Sequence, residues 1–176
     1  MNKYVAFLRG VNVGGHTILK MSELKQMFES VGLENVQTYI QSGNVIFESK
    51  EIDAARLEKR IERQLEKATG KEIRLFVRTM RQVKSIANQK LYTPKDNQTV
   101  HVVILNKTPN KKLQKALISL NSEADDFTVK GREAYNLRRD REKSVFSNNF
   151  IEKILGIPAT TRNLTTIKKI EDKYNK

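Results

Sequence analysis

The chain has 176 residues, enough for one ordinary domain or two small ones sharing a core. It has no cysteine, which excludes disulfides, thiol catalysis and thiolate metal sites, and its two histidines, His16 and His101, do not make a common zinc site by themselves, so no metal is expected. Thirty-three Lys+Arg against twenty Asp+Glu leave a net charge of +13, an excess that favours polyanions such as nucleic acid or phosphorylated ligands.

No apolar run approaches the ~20 residues of a membrane span, so no membrane association is expected. Residues 5–8 are too short for the apolar core of a signal peptide, and a cytoplasmic location is expected. The charge is uneven: residues 1–79 hold thirteen basic and ten acidic side chains, residues 80–176 twenty and ten.

In chain order, residues 4–9 read as an apolar strand, followed by a glycine-rich loop over residues 10–20. Met21, Leu24, Phe28 and Val31 recur at helical spacing, with Ser22 as a candidate N-cap and Gly32 beyond the end. Val36, Thr38 and Ile40 alternate with polar residues as in a strand. Ser42-Gly43-Asn44 turns the chain and Val45-Ile46-Phe47 returns it. Asp53 is placed to cap a helix with the stripe Leu57, Ile61, Leu65, closed by Gly70, and residues 73–77 form a last strand. The order βαββαβ is that of a ferredoxin-like unit.

Thr79-Met80-Arg81-Gln82 fits a capping box for a linker helix, which Tyr92-Thr93-Pro94 ends. The second half then repeats the order without repeating the residues. Residues 100–105 form a strand. Thr108-Pro109 opens a helix striped by Leu113, Leu117 and Leu120. Residues 127–129 and 134–137 form a hairpin about Lys130-Gly131, with Asp125-Asp126 as turn chemistry before it. Ser147 caps a helix that Gly156 and Pro158 stop, and a final helix carries Leu164, Ile167, Ile170 and Tyr174.

The expected fold is therefore α+β: two ferredoxin-like βαββα(β) halves packed together with an extra C-terminal helix. The expected division is residues 1–79, a linker at 80–98, and 99–176. The strands at 5–8 and 102–105 are apolar on both faces, so the sheet face away from the helices must be covered, by the other half or, in a homodimer, by a second chain.

Three polar motifs stand out. Arg9-Gly10-Val11-Asn12-Val13-Gly14-Gly15-His16-Thr17 follows a strand and approaches a phosphate-binding loop, except that His16 stands at the lysine position and the helix starts about four residues late. Its glycines can still present backbone N–H groups to an anion, or simply serve a crossover with positive φ. In Gln41-Ser42-Gly43-Asn44 the two amides lie near a sheet end, and turn geometry alone accounts for Gly43 and Asn44. Thr160-Thr161-Arg162-Asn163 is expected to open the last helix, with Arg162 strengthening an anion site at the N-terminus, or else pairing with a carboxylate or preceding a helix that starts later.

Residues 130–143 hold six basic and three acidic side chains and combine as a candidate nucleic-acid hairpin through Lys130, Arg132, Arg138 and Arg139, or as a solvated surface. The signature of an RNA-recognition module is missing around residues 42–47, and Phe7 and Phe47 are expected in the core. His101, between valines, is expected to be a packed or edge histidine.

The motifs Arg9-Gly10-Val11-Asn12-Val13-Gly14-Gly15, Thr38-Tyr39-Ile40-Gln41-Ser42-Gly43-Asn44-Val45-Ile46-Phe47 and Ala159-Thr160-Thr161-Arg162-Asn163 resemble the bacterial domain-of-unknown-function family numbered 1697 over the full chain. That family usually has a basic residue where His16 stands and a tryptophan where Leu164 stands. The resemblance implies ferredoxin-like halves, a cytoplasmic protein without a recognised cofactor, and no established reaction. It also implies a shared polar cluster of Arg9, Asn12, Gln41, Asn44, Arg162 and Asn163, to which the loop adds Gly14, Gly15 and His16 as ligand contacts.

Three functions follow as expectations. The first is a binding module for an anionic partner, nucleic acid first. The second is a small-molecule enzyme or ligand binder acting on a phosphorylated or carboxylate ligand at the glycine loop. The third is an oligomeric structural protein.

Overall fold

The computed structural model describes residues 1–14, 17–40 and 42–176. Gly15, His16 and Gln41, three of the expected ligand contacts, lie outside the described residues. Two compact units divide the chain, Met1–Ile86 with Ile170–Lys176, and Ala87–Lys169.

The first unit runs β1 (Asn2–Leu8), α1 (Met21–Glu29), β2 (Glu34–Tyr39), β3 (Asn44–Ser49), α2 (Ala54–Thr69), β4 (Leu75–Thr79) and the start of α3 (Met80–Ala87). Its sheet has the order β2-β3-β1-β4 with β1 antiparallel to both neighbours, the ferredoxin-like arrangement expected from the element order. The second unit continues with β5 (Thr99–Leu105), α4 (Lys111–Ile118), β6 (Asp125–Lys130), β7 (Glu133–Arg138), α5 (Asn148–Leu155) and β8 (Ala159–Asn163). Its sheet repeats the pattern as β6-β7-β5-β8. A last helix, α6 (Leu164–Tyr174), begins in the second unit and ends in the first.

Local chemistry accounts for most boundaries. Asp53 caps α2 by accepting from the N–H groups of Ala55 (2.9 Å) and Arg56 (3.2 Å). Thr79 and Gln82 form the reciprocal capping box of α3, at 2.9 and 3.2 Å. Ser147 accepts from Phe150 N–H at 3.0 Å to start α5. Each unit has its own core. Leu24 and Phe28 of α1 and Leu57, Ile61 and Leu65 of α2 meet Tyr4, Ala6, Leu8 and Phe47 in the first. Leu117, Ile151 and Leu155 meet Val103, Leu105 and Phe127 in the second. Phe7 and Phe47 are both fully buried.

Several boundaries differ from the sequence pattern. The expected helix start at Thr160–Asn163 is a strand, β8, pairing antiparallel with β5 from Ala159↔Leu105 to Asn163↔His101. Two β-branched threonines favour this state, and β5 needs a partner on its second edge. The second half is thus a full βαββαβ unit, and α6 begins only at Leu164. Asp125 and Asp126 lie inside β6, not in a turn before it. Asn110 caps α4 through Leu113 N–H (2.9 Å), so the helix begins just beyond the expected N-cap at Thr108. The helix α1 starts at Met21 after Lys20, with no side-chain cap, so Ser22 lies within its first turn. Ile40 ends outside β2, half exposed, at φ 48°, where the chain enters the turn.

Candidate anion-binding site

The glycine loop and the Ser-Gly-Asn turn meet. Leu8 N–H donates to Gly43 O at 2.8 Å, and a β-carbon on Gly43 would lie 2.9 Å from Leu8 Cβ and 3.4 Å from Val11 Cβ. With φ at +80°, glycine is the residue that meets both demands. Asn12, at φ 55°, bridges its own loop: Nδ2 donates to Leu19 O (3.0 Å) and Oδ1 accepts from Leu19 N–H (2.9 Å). Asn44 is buried and its Nδ2 donates to Tyr39 O (2.9 Å) and Ser42 Oγ (3.0 Å). Both amides therefore staple backbone turns. Arg9 is half-buried and its N–H donates to Arg74 O at 2.9 Å, while Gly14 is exposed at φ 61°.

Arg162 and Asn163 belong to the other unit. Arg162 is 7% exposed within β8, opposite Val102, and its Nη1 donates to Thr160 Oγ1 (2.8 Å) and Thr161 O (2.9 Å). Burial pushes its guanidinium down to about 10. The first unit has an arginine at the same register: Arg78 of β4, opposite Val5, is buried and donates from Nη1 to Val77 O at 3.1 Å. Residue identity thus recurs between the halves at one position the sequence pattern left unremarked. Asn163 is exposed at the strand end.

In the hairpin, Lys130 Nζ donates to Gln89 Oε1 at 3.3 Å, Arg132 sits in the turn and Arg138 ends β7. Arg139 is clamped to the Asp126 carboxylate, which raises its pKa, and reaches Ser122 O at 3.4 Å. Behind it runs a buried polar chain. His101 Nδ1 meets Asn136 Oδ1 at 3.0 Å, and Asn136 Nδ2 donates to Asp125 Oδ1 at 3.0 Å. Asp125 also accepts from Ser144 Oγ (2.8 Å) and Val145 N–H (3.0 Å). His101 stacks on Phe146, with ring centroids 4.5 Å apart, and burial lowers its pKa below 6.5.

A basic concavity lies elsewhere, on α2. A groove of about 460 Å³ is lined by Arg56, Lys59, Arg60, Arg63, Gln64 and Lys67 with Val31 at its border. All five cationic residues are exposed. Of the five, Arg56 alone has a described ion pair, to Asp53 at 3.6 Å. Two of the three glutamates of the same helix reach the edge strand β4, Glu58 Oε1 accepting from Val77 N–H (2.8 Å) and Glu62 Oε1 from Leu75 N–H (3.1 Å), while the third, Glu66, is exposed and lines a neighbouring concavity with Lys59, Glu62 and Arg63. Partial burial raises the Glu62 pKa, opposed by the Leu75 hydrogen bond. The helix thus buries an apolar stripe, turns Glu58 and Glu62 toward β4 and exposes its cations, with Glu66 beside Lys59 and Arg63. At 100° per residue, Arg56, Arg60, Arg63 and Lys67 fall within an arc of about 60°. That spacing is legible in the sequence, where regional net charge conceals it.

Among the described residues, no group of three or more His, Asp or Glu is placed to hold a metal ion, and no helix is long and apolar enough to cross a membrane. No curated protein matches the chain. Among solved structures, the fold is similar to the conserved bacterial protein SP0830 from Streptococcus pneumoniae, with a TM-score of 0.77 and 22% identity over 100% of this chain and 99% of that one. The family described as protein of unknown function (DUF1697) matches residues 1–135, which hold both N-terminal motifs and stop short of Ala159–Asn163. On that match over most of its length, the chain belongs to the DUF1697 family.

Proposed function

We propose that the protein is a binding module for an anionic partner, with nucleic acid the first candidate. The supporting observation is the disposition of the carboxylates. Glu58, Glu62, Asp53, Asp125 and Asp140 each accept hydrogen bonds from backbone N–H groups, and Asp126 is closed on Arg139. These are six of the twenty acidic side chains; the chain as a whole keeps a net charge of +13, and on α2 five exposed cations line one groove. Small-molecule chemistry at the glycine loop has less support, because Asn12 and Asn44 direct their amides at their own turns. The absence of cysteine suits work in the reducing cytoplasm.

The test is fluorescence anisotropy with short single- and double-stranded DNA and RNA across a salt series. Micromolar or tighter binding at ~150 mM salt is expected. Binding seen only at low salt, with every nucleic acid alike, would reduce the charge to a nonspecific surface property.

A further inference from the structure

We infer that the outer face of α2 is the contact surface and that it takes the phosphodiester backbone of nucleic acid, about four or five phosphates long, without reading bases. This rests on the anion-binding reading above and adds the place and the manner of contact. Arg56 and Lys67 are separated by eleven residues, about 16 Å along a helix axis at 1.5 Å per residue. Five cations lie along that length. One strand of duplex advances about 3.4 Å per phosphate, so the same length presents roughly five negative charges. The match is one of linear charge density.

The chemistry of the face narrows the partner. Three of the five cations are arginines, whose planar forks match phosphate oxygens in pairs. The cations are strung out along a helix and do not converge on one point, so an isolated phosphate would meet only one or two of them. No aromatic ring lines the groove, which removes the stacking platform that single-strand binders use to hold bases. A membrane surface fits less well: the apolar stripe of α2 is buried in the core, and Val31 alone offers apolar contact beside the cations.

The contact has a distinctive salt dependence. With four or five phosphates neutralised, log K against log salt should fall with a slope of about −3.5 to −4.5 on duplex DNA. Arg60→Ala with Arg63→Ala should make the slope shallower by about 2 and weaken binding by at least about tenfold at ~150 mM salt, equally for unrelated sequences. Arg60→Glu with Arg63→Glu should abolish it. These side chains are exposed, and matched circular dichroism and unfolding midpoints will show that the variants fold; the alanine pair serves if the glutamate pair does not. Arg138→Glu with Arg139→Glu is the control and should leave the slope intact.

If the unaltered protein binds and the hairpin pair abolishes binding while the α2 pairs do not, the assignment to α2 is overturned and the anion-binding reading stands. If the unaltered protein binds no nucleic acid, both fall. Tighter binding to vesicles rich in phosphatidylserine than to any nucleic acid, lost in the α2 pairs, overturns the choice of partner.

Discussion

The helix α2 and the hairpin β6–β7 with its following loop are both basic in sequence, yet they use their charge in different ways. On α2 the carboxylates at 58 and 62 turn to the amides of β4, and the five cations line one exposed groove, with Glu66 beside Lys59 and Arg63. In the hairpin region the signs interleave: Asp126 holds Arg139, and Asp140 caps the turn of Glu142 and Lys143. The half with the smaller net charge therefore carries the more coherent basic face. What decides is the position of each carboxylate relative to a backbone donor, and a count of charges per segment does not contain that information.

The basic face of α2 depends most on the core beneath it. Ile61 is 1% exposed in the first core, and Ile61→Ala should cost about 2–5 kcal/mol, since the lost methylenes leave a cavity that the sheet below cannot fill. Chemical denaturation of the purified protein measures it. The basic face should remain as charged as before yet bind less, because its cations are aligned only while the helix is seated on the sheet.

A second prediction concerns the hairpin region and its pH response. Folding keeps His101 largely neutral, chiefly by burial and with Arg138 in the same direction, against the Asn136 hydrogen bond and the Asp125 charge. Between its lowered folded value and 6.5, the unfolded chain holds more protons than the folded one, so stability rises with pH across that window and is lost as pH falls below 6.5. The unfolding midpoint of the wild type should therefore drop between about pH 7 and pH 5 by more than that of His101→Gln, which keeps a donor for Asn136 and does not titrate. Equal drops in both proteins would show that His101 does not carry the effect.

The smallest effect is expected in the hairpin. The Asp126–Arg139 pair is about two-thirds covered, with side-chain exposures of 29% and 34%. Asp126→Asn should cost at most about 1 kcal/mol, as partly exposed ion pairs do. It should also release Arg139 and strengthen nucleic-acid binding by no more than a fewfold, in contrast to the loss expected on α2. A large gain in anisotropy titrations would mean that the hairpin is a basic face held in check by Asp126.

Much of the fold was legible from the residues alone. The apolar periodicities of 3.6 and 2, the caps at Asp53, Thr79 and Ser147, and the turn at Ser42-Gly43-Asn44 prescribe βαββαβ in the first half and βαββα in the second, because each is a short-range constraint of backbone geometry and side-chain reach. The strand β8 was not legible. Thr-Thr-Arg-Asn has neither alternation nor an apolar face, and it is a strand because β5 offers an open edge sixty residues earlier in the chain. For the same reason Arg162 is read locally as a helix-start cation, whereas the sheet buries it at the register that Arg78 occupies in the first half.

The candidate site divides along the same line. Sequence determined which residues are cationic and that four of them recur at helical spacing on α2. Only tertiary structure decided that two of the three intervening carboxylates, Glu58 and Glu62, would be drawn to the amides of an edge strand, with Glu66 left exposed beside Lys59 and Arg63. A buried or edge N–H must find an acceptor, and which acceptor is near is a property of the assembled fold.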